Sequence, residues 1–525
     1  MSVPIAPFRA VPLLFMEPPP DSEFYEFLQE AHRLVERHPR ILAAIDADLD
    51  LHGLAKKALR VEDAQWHDAR NLDLPTMGWR PGPIAPESLH LKKGRPRAPA
   101  YVVYMFMVGR GYFGGYRTSE AKTLMQESLT LQVMLANQGI ELPAPKTLND
   151  LANAVRNSTR EQILDAQLCE VLQEGWDDFT TSLMDSTAVK ANTRWPTESC
   201  LMVDLVERMS RLGGKLDRLG LPNFACPQVA KLLGALSELH REISMGAEGP
   251  RKGRARAQRR MYRAMLKKAR RAGTLLLPEI ERARQALATL DSEPSRRVRA
   301  ERVVSRLGTD MVNLHRVIAS CEARIVRDEK VAAKDKVLSI SDPDAAMIVK
   351  GDREPKVGYK PQLARSGNGF ITALIVPVGN AADSSQLVPL FDQVEARTRV
   401  VPDIVSVDDG YASDEGRTAL QDRGVRVVSI SGSKGKRLTP ADEWNSEEYA
   451  TARDDRSAVE SLMFIIKHGF DFGDVVRRGV DCVRAELLEK ALAYNFCRVA
   501  MLRRAVRDQA DVTLDPAAQD EAIAA

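Results

Sequence analysis

The chain is poor in cysteine, histidine and aromatic residues, with six Cys, eight His and 6% Phe, Trp and Tyr in 525 residues. Cys169, Cys200, Cys226, Cys321, Cys482 and Cys497 stand far apart, with no C-x-x-C pair and no histidine at ligand spacing, which argues against a disulfide framework or a zinc site. Long apolar runs are also missing. Tyr101 to Val108 and Phe370 to Val378 reach about half of the roughly 20 residues that a membrane helix needs. Pro4, Pro7, Pro12 and Pro18 to Pro20 leave no apolar stretch of signal-peptide length. Nor is there an excess of either charge: 75 Lys and Arg against 72 Asp and Glu give +3, which excludes a uniformly basic protein but not local basic surfaces. The expectation is a soluble cytoplasmic protein. Its composition, 44% hydrophobic and 28% charged, is that of a globular chain. The length suggests about three or four units, or two with large insertions.

Apolar residues recur at helical spacing from Ser22 to about Arg60, interrupted by Pro39, and helices are expected again at Thr118 to Asn137 and Thr147 to Gln173. The proline-rich stretch 73 to 100 reads as a loop. At Phe179 the pattern changes to FTTSLMDST, a short strand ending near Asp185. Helical periodicity returns from Cys200 to Val331, an insertion of about 130 residues. Strand signals follow at Val337 to Ile340, Met347 to Lys350, Val357 to Ala364, Phe370 to Val378, Ile404 to Asp408 and Val425 to Ile430. Helices are expected among them at Ser385 to Thr398 and Asp414 to Arg423, and after them at Arg456 to Lys467 and Asp481 to Arg507. This alternation implies a mixed α/β sheet.

Carboxylates at strand ends are the informative feature. Asp185 and Asp408 close two strands, and Glu460 lies on the helix after the last one. Hard cations such as Mg²⁺ take oxygen ligands, and two ions about 4 Å apart need carboxylates from separate elements, although an aspartate at a strand end also serves as a turn residue. On the late helix Arg456, Glu460 and Lys467 fall within about 40° of one another, beside an apolar stripe of Val459, Met463 and Ile466. A salt-bridged surface helix would give the same pattern.

The strings LMDSTAV, VGYKPQLA, GNAADSSQL, VDDGYAS and R-S-A-V-E-x6-K together resemble DDE transposases of bacterial insertion sequences, in the group with a Y-R-E-K signature. Glu486, Asn495 and Arg498 follow as a late E-x8-N-x2-R. The resemblance covers about 178 to 200 and 335 to 500. It implies a ribonuclease H-like fold, with Asp185, Asp408 and Glu460 as the catalytic, metal-binding residues for two Mg²⁺ ions, Mn²⁺ being the alternative. It also implies that Arg456 and Lys467 contact DNA. The signature's tyrosine position is Arg453 here, with Tyr449 nearby, and the insertion follows the first strand rather than preceding the glutamate.

A basic stretch fits a DNA partner. Arg251, Lys252, Arg254, Arg256, Arg259, Arg260, Arg263, Lys267, Lys268, Arg270 and Arg271 occur in 21 residues without one acid, and would release counterions on binding phosphates. A solvated basic helix is the plain alternative. Lys92 to Arg97, KKGRPR, resembles a minor-groove AT-hook core or a stiff linker. Gly109 to Gly114 matches G-x-G-x-x-G without the strand and terminal acid of a dinucleotide site, and Gly432 to Arg437 lacks the spacer and Ser/Thr of a Walker A loop, though it could contact phosphate.

The expected architecture is an α/β, ribonuclease H-like mixed sheet split by a helical insertion, with a mainly α-helical N-terminal region. The expected divisions are a DNA-binding region over 1–175, the catalytic domain over 176–199 and 336–505, the insertion over 200–335, and an acidic tail over 506–525. The expected activity is metal-dependent cleavage of element ends and strand transfer, by a homo-oligomer on terminal inverted repeats and target DNA in the nucleoid, with no membrane partner. A non-catalytic DNA-binding descendant of a transposase is the alternative.

Overall fold

The computed structural model describes residues 23–72, 82–89, 97–114, 116, 143–224, 226–245, 254–332, 335–349 and 354–514. Two compact units emerge, one from 1–50, 93–192 and 348–525, the other from 51–92 and 193–347. The expected helix at Thr118 to Asn137 and the run Lys92 to Pro96 lie outside the described residues.

The first unit opens with helices. Glu23–Arg37 (α1) buries Phe27, Leu28, Ala31 and Leu34, the spacing seen in the sequence, and Pro39 separates it from Arg40–Asn71 (α2), of which residues 40–50 belong to this unit. Ala100–Phe113 (α3) is almost wholly buried, so its apolar run is a core helix. Among the described residues Pro145–Ala154 (α4) and Asn157–Gln173 (α5) follow.

A five-stranded sheet follows, built from Thr181–Ser186 (β1), Gln362–Ser366 (β5), Ile371–Ile375 (β6), Ile404–Val407 (β7) and Val427–Ile430 (β8), in the order β6-β5-β1-β7-β8. β1 pairs antiparallel with β5 and parallel with β7, and β7 pairs parallel with β8. Leu387–Thr398 (α10) and Asp414–Asp422 (α11) follow β6 and β7, as the crossovers of parallel strands require. Their apolar residues Leu390, Phe391, Val394 and Leu420 form one core with Met184, Val405, Val407, Val428 and Ile430 of the sheet. Val189–Lys190 (β2), Ala346–Ile348 (β3) and Lys356–Tyr359 (β4) make a small second sheet, in the order β2-β4-β3. The run expected as one strand from Val357 to Ala364 is thus two strands, turning at Lys360 and Pro361. A mixed sheet of this order, with helical crossovers and a mainly helical N-terminal region, is the ribonuclease H-like α/β fold that was expected.

The second unit is helical: Glu198–Gly213 (α6), Pro227–Met245 (α7), Arg254–Ala288 (α8) and Pro294–Cys321 (α9) share one apolar core. One expectation fails here. Val337 to Ile340 form no strand; Val337 and Ile340 pack on the helical core instead, so burial against side chains replaces a backbone ladder.

Candidate functional site

The sheet register brings two of the three carboxylates together. Thr181, Ser182 and Leu183 of β1 lie opposite Ile404, Val405 and Ser406 of β7. Asp185 comes two residues after Leu183 in β1, and Asp408 two after Ser406, just past the end of β7, so extending the register points both to the same end of the sheet. Neighbouring strands lie about 4.8 Å apart. Both aspartates are half-buried. Side chains alternate along a strand, and Met184 and Val407 face α10 and α11, so Leu183 and Asp185 face the other side. Asp185 Oδ1 accepts a 2.6 Å hydrogen bond from the Ser186 N–H. Asp408 Oδ1 accepts one from Gly410 N–H at 2.9 Å, capping the 3₁₀ turn Asp409–Tyr411.

The adjacent Asp409 has a different task. Its Oδ1 accepts from the backbone N–H groups of Lys434 at 2.7 Å and Gly435 at 3.1 Å, at the start of the helix Ser433–Leu438 (α12). Gly432 (φ 99°) permits this approach: a Cβ there would stand 2.7 Å from that of Asp409. The GSKGKR segment therefore spends its N-terminal donors on a carboxylate of its own chain, leaving those two unavailable to a phosphate.

Ala441–Trp444 (α13) and Glu447–Asp455 (α14) lead to Ser457–Gly469 (α15), which carries the third carboxylate. Val459, Leu462, Met463 and Ile466 are buried, the helix packs against β1, and none of these four joins the core beneath α10 and α11. The helix thus covers the side of the sheet that Asp185 faces. Glu460 is 65% exposed, and Oε1 accepts from Arg456 Nη2 at 2.9 Å. Among the described residues no three His, Cys, Asp or Glu side chains are close enough to hold a metal ion. Asp185 and Asp408 lie at the same ends of neighbouring parallel strands, and Glu460 has a guanidinium partner in Arg456. Lys467 lies in the last turn of the same helix.

Sequence reasoning missed Asp383. It opens the 3₁₀ turn Asp383–Gln386 before α10, and accepts from Lys360 Nζ at 2.8 Å and Gln362 Nε2 at 2.9 Å. The buried Tyr411 hydroxyl donates to Gln362 Oε1. Burial raises the Tyr411 pKa well above its ordinary value, and the charges of Asp383, Asp185 and Asp408 push it the same way. The strings VGYKPQLA and GNAADSSQL contained Lys360 and Asp383, but nothing in either string alone pairs them.

Other flagged residues are structural. Tyr449 is fully buried, its hydroxyl bonded to the backbone N–H and carbonyl of Ile430, the last residue of β8; Arg453 lies over the Trp444 ring. On the last helix, Val480–Leu514 (α16), Glu486 accepts from Lys490 and from the N–H groups of Val476 and Arg477. Asn495 pairs with both backbone groups of Ile371, and Arg498 donates to the Asn368 carbonyl. Gly109 to Phe113 lie inside α3, with Gly114 ending it, and Arg110 is buried against Glu489 rather than opening a nucleotide loop.

In the second unit α8 turns Tyr262, Met265, Leu266, Ala269 and Ala272 into the core, and leaves Arg256, Arg259, Arg260, Arg263, Lys267, Arg270 and Arg271 exposed. Arg259 pairs with Asp328 and Arg270 with Glu322, while Lys268 is half-buried. Arg251 and Lys252 lie outside the described residues. Arg97, the end of KKGRPR, is held by Asp46 and Asp50.

Comparison with curated proteins and with solved structures finds no match. Residues 345–496, which run from β3 into α16 and carry Asp408 and Glu460, match the family described as Transposase DDE domain. That segment, less than half of the chain, is similar to the DDE domain of transposases.

Proposed function

We propose that the protein is an active transposase, cutting the terminal inverted repeats of an insertion sequence and joining them to target DNA, with Asp185, Asp408 and Glu460 as its catalytic carboxylates. The observation that carries this reading is the β1–β7 register, which aligns Asp185 and Asp408 at adjoining strand ends. Two half-buried carboxylates on neighbouring strands repel each other unless a cation lies near. Their hard oxygens suit Mg²⁺, or Mn²⁺ in its place. Asp185 and Asp408 would hold the ion first. Glu460 would join once Arg456 releases it, since α15 already packs against β1.

When bound, divalent ions supply Lewis acidity to phosphate oxygens and lower the cost of an oxygen nucleophile. The chain's own groups do the rest. Arg456 exchanges Glu460 for a DNA phosphate, for which its planar fork suits bidentate contact, and Lys467 offers a point charge further along the same helix. The exposed cations of α8 hold the flanking duplex through its phosphates. The active form is a homo-oligomer on paired ends, in the nucleoid.

A second reading, a DNA-binding protein without catalysis, draws support from the Arg456–Glu460 pair, which keeps the third carboxylate occupied. One experiment separates the two. Purified protein is incubated with end DNA and Mg²⁺, beside the Asp185→Asn variant. Cleavage by the parent and not by the variant is expected; binding without cleavage by either leaves the second reading standing.

A further inference from the structure

We infer that Asp383, braced by Lys360, is a positioning residue for Asp408, acting through Gly410. This rests on the reading of Asp185 and Asp408 as metal ligands and adds a residue to it.

Asp383 lies between two corners of the sheet. On one side is the turn joining β4 to β5, from which Lys360 Nζ reaches Oδ2 at 2.8 Å and Gln362 Nε2 reaches Oδ1 at 2.9 Å. Lys360 Nζ also donates to the Ala381 carbonyl at 3.3 Å, so the ammonium is tied to the same loop twice. On the other side is the turn that begins at Asp408. A Cβ built on Gly410 would stand 3.0 Å from Asp383 Oδ2 and 3.0 Å from Asp408 Oδ1. The two carboxylates thus flank one glycine, with no room between them for a side chain. The Tyr411 hydroxyl closes the ring by donating to Gln362, which faces Ser186 at the end of β1.

The consequence is mechanical. Lys360 and Asp383 are largely buried, with side chains 10% and 12% exposed, and a buried ion pair holds its geometry because separating it strands a charge. That pair sets where Oδ2 of Asp383 stands, Oδ2 sets how closely the Gly410 backbone can approach, and Gly410 N–H orients Asp408 Oδ1. Asp383 itself has both oxygens taken by Lys360 and Gln362, which suits a brace better than a ligand. Three strings that are separate in sequence, VGYKPQLA, GNAADSSQL and VDDGYAS, become one support.

The test uses the full-length protein and measures Mn²⁺ binding directly, by calorimetry and by loss of the free-ion electron paramagnetic resonance signal, with thermal unfolding as the control for folding. Asp408→Asn should abolish tight binding. Gly410→Ala and Asp383→Asn should each weaken it about tenfold, and end-DNA affinity should stay within twofold. The double variant Lys360→Gln with Asp383→Asn keeps a neutral hydrogen-bonded pair, and should recover most of the affinity lost in Asp383→Asn. If the parent binds no Mn²⁺, or Asp408→Asn binds as the parent does, the metal-site reading itself fails. If Asp408→Asn loses binding while Gly410→Ala and Asp383→Asn bind as the parent does, the positioning role is wrong and the site stands. Loss in Asp383→Asn as complete as in Asp408→Asn, with no recovery in the double variant, would make Asp383 a ligand and overturn the inference.

Discussion

Asp185 and Asp408 are as far apart in sequence as Thr181 and Ile404, the residues that pair at the start of β1 and β7, so one parallel register aligns both the first residues of the strands and the two carboxylates beyond. The helical unit inserted between them leaves that register unchanged. Parallel strands need a crossover of some length but set no upper limit on it, because loop closure costs only about 0.6 kcal/mol for each doubling of length.

The neighbouring aspartates should separate by function. Asp408→Asn is expected to abolish Mg²⁺-dependent cleavage of end DNA while sparing DNA binding. Asp409→Ala removes the acceptor at the start of α12 and should lower stability by about 1 kcal/mol, as loss of a helix cap does, while Asp409→Asn keeps at least partial cleavage. A cleavage assay beside a urea unfolding curve tests this. Cleavage surviving in Asp408→Asn and lost in Asp409→Asn would reverse the assignment.

Replacing Arg256, Arg260, Arg263 and Lys267 by Gln should weaken DNA binding and flatten its dependence on salt. These four are exposed on α8, away from the residues that enter the core. For every phosphate that is no longer neutralised, the slope of log affinity against log salt should fall by roughly 0.9. Filter binding at several salt concentrations would measure it. An unchanged slope would show that the duplex passes elsewhere.

Acid should unfold the first unit partly through Glu489. Burial pushes its carboxyl up, but Arg110, Arg160 and Arg477 outweigh burial and bring the pKa from 4.5 down to about 2. A folded-state pKa below the unfolded one means stability that is present above about pH 4.5 and lost as the pH falls toward 2. The loss is on the order of 3 kcal/mol. Glu489→Gln should lack that pH-dependent part, and should be less stable at pH 7 by roughly 3–5 kcal/mol, because two buried guanidiniums lose their partner. Unfolding curves for the two proteins that stay parallel across the acid range would contradict this.

Asn495→Ala should loosen the outer edge of the sheet. Its amide accepts from the Ile371 N–H at 2.9 Å and donates to the Ile371 carbonyl at 3.0 Å, in place of a further strand beside β6. Leaving those two buried groups unpaired costs roughly 1–3 kcal/mol each. Hydrogen exchange should then speed up at Ile371 while β7 and β8 keep their protection. Uniform loss of protection would mean that the edge has no separate stability.

Local chemistry made much of this protein legible in its sequence. The spacing of Phe27, Leu28, Ala31 and Leu34 requires a helix, and the apolar runs before Asp185 and Asp408 require strands, because periodicity depends only on which face is buried. The polar stripe of Arg456, Glu460 and Lys467 follows from the same rule. What required the tertiary structure were relations between segments. Strand order, the alignment of Asp185 with Asp408 and the meeting of Lys360 with Asp383 depend on backbone register and on turns far apart in the chain. The apolar residues Val337 and Ile340 look like a strand locally, yet in the folded chain they cover a helical core. Asp408 and Asp409 are one residue apart and chemically the same. Only the folded chain brings the N–H groups of Lys434 and Gly435 to one of them, and sets Asp383 across Gly410 from the other.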